Sequence, residues 1–125
     1  MEKSGIKAVY ITAGSSAVIF DNSLGGVPQV CYWGESLGEL AASDVSAATL
    51  ANREPLGGNP PDLRSPTRIV PLESDGWLGR PGLVGSRVDG TAWTPRVGDV
   101  VVELPDSSKL ENSVAFVKDD QVKFT

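Results

Sequence analysis

The run Gly76-Trp77-Leu78-Gly79-Arg80-Pro81-Gly82-Leu83-Val84-Gly85-Ser86-Arg87, followed by Trp93-Thr94-Pro95-Arg96, concentrates the residues that could do chemistry. It holds two of the three tryptophans, three arginines and four glycines. Glycine allows positive φ and close backbone approach, and proline fixes φ, so the segment is too broken for a helix but has a specified shape. A loop of this kind presents rigid aromatic faces and guanidinium forks, which stack on and hydrogen-bond to polar, planar or ring-shaped partners. The same residues also permit a plainer arrangement, in which the tryptophans fill a β-sandwich core and the arginines are solvated.

Other chemistries are excluded by what the chain lacks. With no histidine there is no Ser-His-Asp triad, no Cys-His dyad and no histidine-bearing zinc site. The single cysteine, Cys31, rules out an intrachain disulfide and a CxxC motif. It sits between Val30 and Tyr32 and reads as a small buried apolar residue. No P-loop is present, and the glycines at 76, 79, 82 and 85 do not open a helix after a strand. Paired carboxylates could still perform acid/base work, with Asp62, Glu73, Asp75 and Asp89 nearest the loop. Carboxylates beside arginines are far more often ion-pair partners or turn formers.

The chain has 125 residues, which fits one domain, and its composition is that of an ordinary globular protein. A net charge of −5 argues against a general nucleic-acid binder and gives no support to a membrane-surface role. Charge is uneven: residues 64–96 hold five arginines and no lysine against Glu73, Asp75 and Asp89. That preference for arginine suggests geometric pairing with carboxylates, backbone carbonyls or hydroxyls. Neither a signal core nor a run of transmembrane length is present, so the expected location is cytoplasmic.

The elements that must position the loop are mostly β. Residues 6–12 and 15–21 read as strands joined at Ala13-Gly14, and a turn over 21–26 leads to a third strand at 27–33. Ser36-Leu37-Gly38-Glu39 has capping-box spacing weakened by Gly38, whereas Ser43 makes a better start for a short helix over 44–52. Residues 54–66, with four prolines, form a loop or linker. Further strands are expected at 67–72, 83–88, 92–95 and 99–104, with a turn at Asp89-Gly90. A closing hairpin is expected from 114–118 and 121–124 around Asp119-Asp120. Because that last strand would leave an open edge, residues 1–125 are expected to be part of a longer domain, association-prone in isolation.

Two motifs carry a resemblance. Val30-Cys31-Tyr32-Trp33-Gly34-Glu35-Ser36-Leu37-Gly38 resembles the HWG-x-x-LG segment of bacterial α-galactosidases of glycoside hydrolase family 36. The 76–87 run with Trp93-Thr94-Pro95-Arg96 resembles the segment that follows it in the actinobacterial branch. The likeness covers about residues 6–100; Tyr32 and Ser86 stand where histidine is frequent, and the tail after Asp99 matches loosely.

The resemblance implies a mainly β fold, the first part of an antiparallel β-sandwich (a supersandwich like that of galactose mutarotase), with one short helix near 43–52. In the family this domain precedes a (β/α)₈ barrel that carries both catalytic aspartates. A barrel needs about 250 residues, so no residue here inherits a catalytic role. The implied function is non-catalytic: supporting a homo-oligomer and shaping the site of an enzyme that hydrolyses terminal α-linked galactose from oligosaccharides. Trp77, Arg80, Arg87 and Trp93 are the candidates for the substrate rim or an interface, with Gly76, Gly79, Pro81 and Gly82 shaping the loop. No metal or organic cofactor, nucleic acid or membrane is implied. A free-standing carbohydrate-binding sandwich and a structural or protein-interaction module remain as alternatives.

Overall fold

A computed structural model describes residues 5–53 and 67–118. Their order is β1 (Ala8–Ala13), β2 (Ser16–Asp21), β3 (Gln29–Glu35), α1 (Ala42–Ala51), a 3₁₀ turn (Glu73–Asp75), β4 (Lys109–Glu111) and β5 (Val114–Lys118). The mainly β fold with one short helix is therefore what the chain adopts. The five strands form one sheet in the order β3-β2-β1-β5-β4.

Local chemistry explains the first hairpin. Ala13 pairs with Ser16, leaving a two-residue turn in which Gly14 takes φ +57°, a conformation glycine adopts without penalty. The sheet is not wholly antiparallel: β5 lies beside β1 in parallel, with Ala8 opposite Val114 and Thr12 opposite Lys118. A second tight hairpin joins β4 to β5 through Asn112 and Ser113, both at positive φ. The closing hairpin expected with 121–124 lies outside the described residues, as does the 54–66 loop.

The period-two alternation of the strands divides their side chains between two covered faces. On one, Ala8, Tyr10, Ala17, Ile19 and Val114 pack against Ala42 and Val45 of α1. Tyr10 meets Phe116 edge-on, with ring centroids 6.3 Å apart, and its hydroxyl donates to the Gly38 carbonyl at 3.0 Å. On the other, Val9, Ala115 and Val117 pack with Ile6 under Val102 and Leu104. Fully burying a side chain such as Ile19 stabilises by roughly 1.5–3 kcal/mol.

The helix starts slightly earlier than Ser43. Its N-cap is Ala41, which has no side chain to offer, and the Asp44 carboxylate instead accepts from the Ala41 N–H at 3.0 Å. At its far end, Arg53 reaches the carboxylate of Asp21, which is 1% exposed, at 3.3 Å. Asp21 also accepts from the Ser23 N–H at 2.9 Å, so the end of β2 and the end of α1 are held by one carboxylate.

Four expected strands do not form. Residues 67–72 make a single bridge, Arg68 opposite Gln29, with bonds from Val30 N–H to Thr67 C=O and from Ile69 N–H to Pro28 C=O, both 3.0 Å. Pro71 has no N–H with which to continue the ladder. Residues 83–88, 92–95 and 99–104 are irregular, although Val102 and Leu104 still cover the sheet. Their β-branched content favours a pleated surface, but a strand is made by pairing, and none of them pairs with a strand among the described residues.

Candidate functional site

The loop begins where Leu72, buried, plants the 3₁₀ turn against the body. Gly76 ends that turn at φ +86°, which only glycine adopts readily. The Trp77 ring then folds back over Gly79, where a Cβ would lie 2.7 Å from Nε1. Its indole N–H donates to the Arg80 carbonyl at 3.3 Å. Gly82 sits as tightly: its N–H donates to the Pro71 carbonyl at 2.7 Å, and a Cβ there would lie 2.9 Å from Val70 Cγ1. Gly76, Gly79 and Gly82, with Pro81 between them, thus fix the path of the backbone.

The return leg is organised around a second turn. Arg87 N–H donates to the Thr91 carbonyl at 3.0 Å, and Gly90 N–H donates to the Arg87 carbonyl at 2.9 Å. The Asp89 carboxylate accepts from both the N–H and the hydroxyl of Thr91, and these bonds hold its pKa below the usual carboxylate range. The Ser74 hydroxyl donates to the Pro95 carbonyl at 3.1 Å and closes the loop on its own base.

This arm, residues 76–96, is mostly exposed. Trp77 is 37% exposed, Trp93 62% and Leu78 fully, so neither tryptophan plugs a core. The structure brings Trp77 against Arg80 but does not stack Trp77 on Trp93; the ring pair among the described residues is Tyr10–Phe116. Arg80, Arg87 and Arg96 have no ion pair among the described residues, whereas Arg53, Arg68, Lys109 and Lys118 each have one. Of the carboxylates near the loop, Asp75 lies 3.5 Å from Arg68 Nε and Asp89 is bound into its own turn. Asp62 lies outside the described residues.

Arg68, not singled out by motif, ties the 3₁₀ turn at the base of the arm to the 25–27 segment. Its side chain is nearly buried and donates to the Gly25 and Val27 carbonyls at 2.7 and 2.5 Å while facing Asp75. The arginine preference and the expectation of carbonyl pairing were the signals that pointed towards such a residue.

Hollows lie elsewhere among the described residues. One of about 530 Å³ lies among Tyr10, Thr12, Ser36, Glu39, Phe116 and Lys118. Another, about 350 Å³, is lined by residues including Asn22, Gly25, Gly26 and Asp99. Neither is lined by Trp77, Arg80, Arg87 or Trp93. Among the described residues no group of His, Cys, Asp and Glu could hold a metal, and no helix is long and apolar enough to cross a membrane.

Cys31 is half-buried beside this frame. Desolvation raises its pKa, and the nearby Asp21 charge raises it further, against smaller opposing effects from Asn52 and Arg53. The thiol is therefore held protonated, a poor nucleophile.

No model of a known protein family matches the chain, and neither does any curated protein or solved structure.

Proposed function

We propose that the chain is a non-catalytic β segment of a family 36-like α-galactosidase, in which it supports oligomerisation and shapes the galactoside site. The observation that carries this reading is the arm: exposed Trp77 and Trp93, with three arginines that have no ion pair among the described residues, on a backbone fixed by Gly76, Gly79 and Gly82. A tryptophan face suits the apolar C–H face of a pyranose, and a guanidinium suits its hydroxyls. The motifs over 30–38 and 76–96 supply the family, and with it the hydrolysis of terminal α-linked galactose without a cofactor by the parent enzyme in the cytoplasm.

The test uses Trp77→Ala, Trp93→Ala and Arg80→Ala in the whole chain. Its readouts are circular dichroism, calorimetric titration with melibiose or raffinose, and sedimentation. The reading predicts an intact fold, no hydrolysis of p-nitrophenyl α-galactoside by the chain alone, and weaker assembly in the variants. Unfolding of the variants would show that the tryptophans serve only to pack, and hydrolysis by the wild-type chain would make it an enzyme in its own right. Sugar binding by the chain alone, lost in the variants while assembly is unchanged, favours the free-standing carbohydrate-binding module. The exposure of Trp93 is what keeps that second reading specific.

A further inference from the structure

Among the described residues, the sheet has an edge that is only partly covered. Residues 67–69 cover the outer side of β3 only as far as Val30, and nothing among the described residues pairs with that side over 31–35. Trp33, in this open half, is 80% exposed, Glu35 is exposed and carries no ion pair among the described residues, and Leu37 just beyond is also exposed. The opposite edge is guarded as edges usually are, by a three-residue strand with a lysine, Lys109, paired to Glu111 at 2.9 Å.

The arm holds the complement. Residues 83–88 have the composition of a strand and form none, and the backbone groups of 83–86 make no hydrogen bonds among the described residues. Leu83, Val84 and Val88 are exposed, and Arg87 has no ion pair among the described residues. A segment with no main-chain hydrogen bonds over 83–86 among the described residues, apolar side chains and a cation at its end thus matches the chemistry of an open strand edge with an exposed tryptophan and a carboxylate. Main-chain pairing would supply affinity, and the charges would supply register.

We propose that residues 83–86 of one copy add as a strand to the open half of β3 in a second copy, with the side chain of Arg87, at the turn that ends the segment, meeting Glu35. This rests on the assembly role proposed above and names its contact. The occupant is a second copy because one chain carries both halves of the complementary pair: an acidic, aromatic edge and an arginine-bearing, unpaired strand. Each copy offers one arm and one edge, so the contact either closes reciprocally between two copies or propagates head to tail.

Charge reversal tests it on the whole chain by sedimentation velocity. Arg87→Glu and Glu35→Arg should each weaken self-association at least about tenfold, and an equimolar mixture of the two variants should restore it. Val84→Pro removes an N–H from the added strand and should abolish the contact while leaving the circular dichroism of the body unchanged. Recovery in the R87E/E35R double variant but not in the mixture would place the contact within one chain and overturn the second copy as occupant. Association that persists through both single reversals overturns the contact and leaves the proposed function standing. A wild-type chain that stays monomeric at about 100 µM overturns the contact and the assembly role together.

Discussion

The sheet-and-helix body and the 76–96 arm both carry large apolar side chains and dispose of them in opposite ways. In the body, Ile19, Val45 and Val114 are buried, each placed by the alternation of a strand or the face of a helix. In the arm, Trp77, Leu78, Val84 and Trp93 remain in water on a backbone that is nonetheless specified by glycine contacts and hydrogen bonds. Burial positions the body and local backbone chemistry positions the arm. A segment shaped without burying its apolar surface is shaped for something other than stability.

Substitutions can break that contrast. Ile19→Ala in the body should cost about 2–5 kcal/mol in chemical denaturation, whereas Trp93→Ala should stay within about 0.5 kcal/mol of wild type. Equal losses would mean that the arm belongs to the core. Asp21→Ala leaves Arg53 without its carboxylate and the Ser23 N–H without an acceptor, an expected loss of about 1–3 kcal/mol that thermal melts would detect. Limited trypsin digestion should cut first after Arg87 and Arg96 and spare Arg80, which precedes Pro81, while the body is cut last.

Two finer measurements sharpen the picture of the body. Alkylation of Cys31 by iodoacetamide should have a midpoint pH above that of the unfolded chain, because desolvation and Asp21 raise the folded-state pKa. The sign for stability follows from the same direction. The contribution of the thiol is fully present below its unfolded pKa of about 8.5 and is lost as pH rises towards the folded value. A midpoint equal to the unfolded one would mean an exposed thiol. The smallest effect is expected from Ser113→Gly: Ser113 sits at φ +66° in the β4–β5 turn, and glycine there should raise stability by about 0.5–1 kcal/mol.

Much of the body was legible in the sequence. Alternation marked β1, β2, β3 and β5, Gly14 marked the first hairpin, and the alanines after Ser43 marked the helix to within two residues of its start. What misled was β-branched content without a partner: 67–72, 83–88, 92–95 and 99–104 have strand composition, but a strand is a pairing, and pairing is not written in a single segment. The parallel neighbourhood of β1 and β5 was hidden for the same reason. So was β4, whose Lys109–Glu111 run is short and charged. In the site, the Gly/Trp/Arg pattern pointed to a backbone with specific glycine positions, and the strands expected at 83–88 and 92–95 within it do not form. The sequence alone left open whether the tryptophans face solvent or core, because burial depends on what surrounds them. Arg68 escaped notice because its carbonyl partners at Gly25 and Val27 are distant in the chain.

The position of β1 has a consequence for synthesis. β1 lies between β2, which follows it at once, and β5, whose Val114 meets Ala8 from the far end of the chain. While the chain is being made, the first three strands can pair within moments of emerging, but the other side of β1 stays bare until the ribosome has delivered residues past 114. For that interval Val9 and Tyr10 border an unpaired ladder, and closing so long a loop is slow. A nascent chain arrested short of Val114 should therefore be the form that chaperones hold and proteases find.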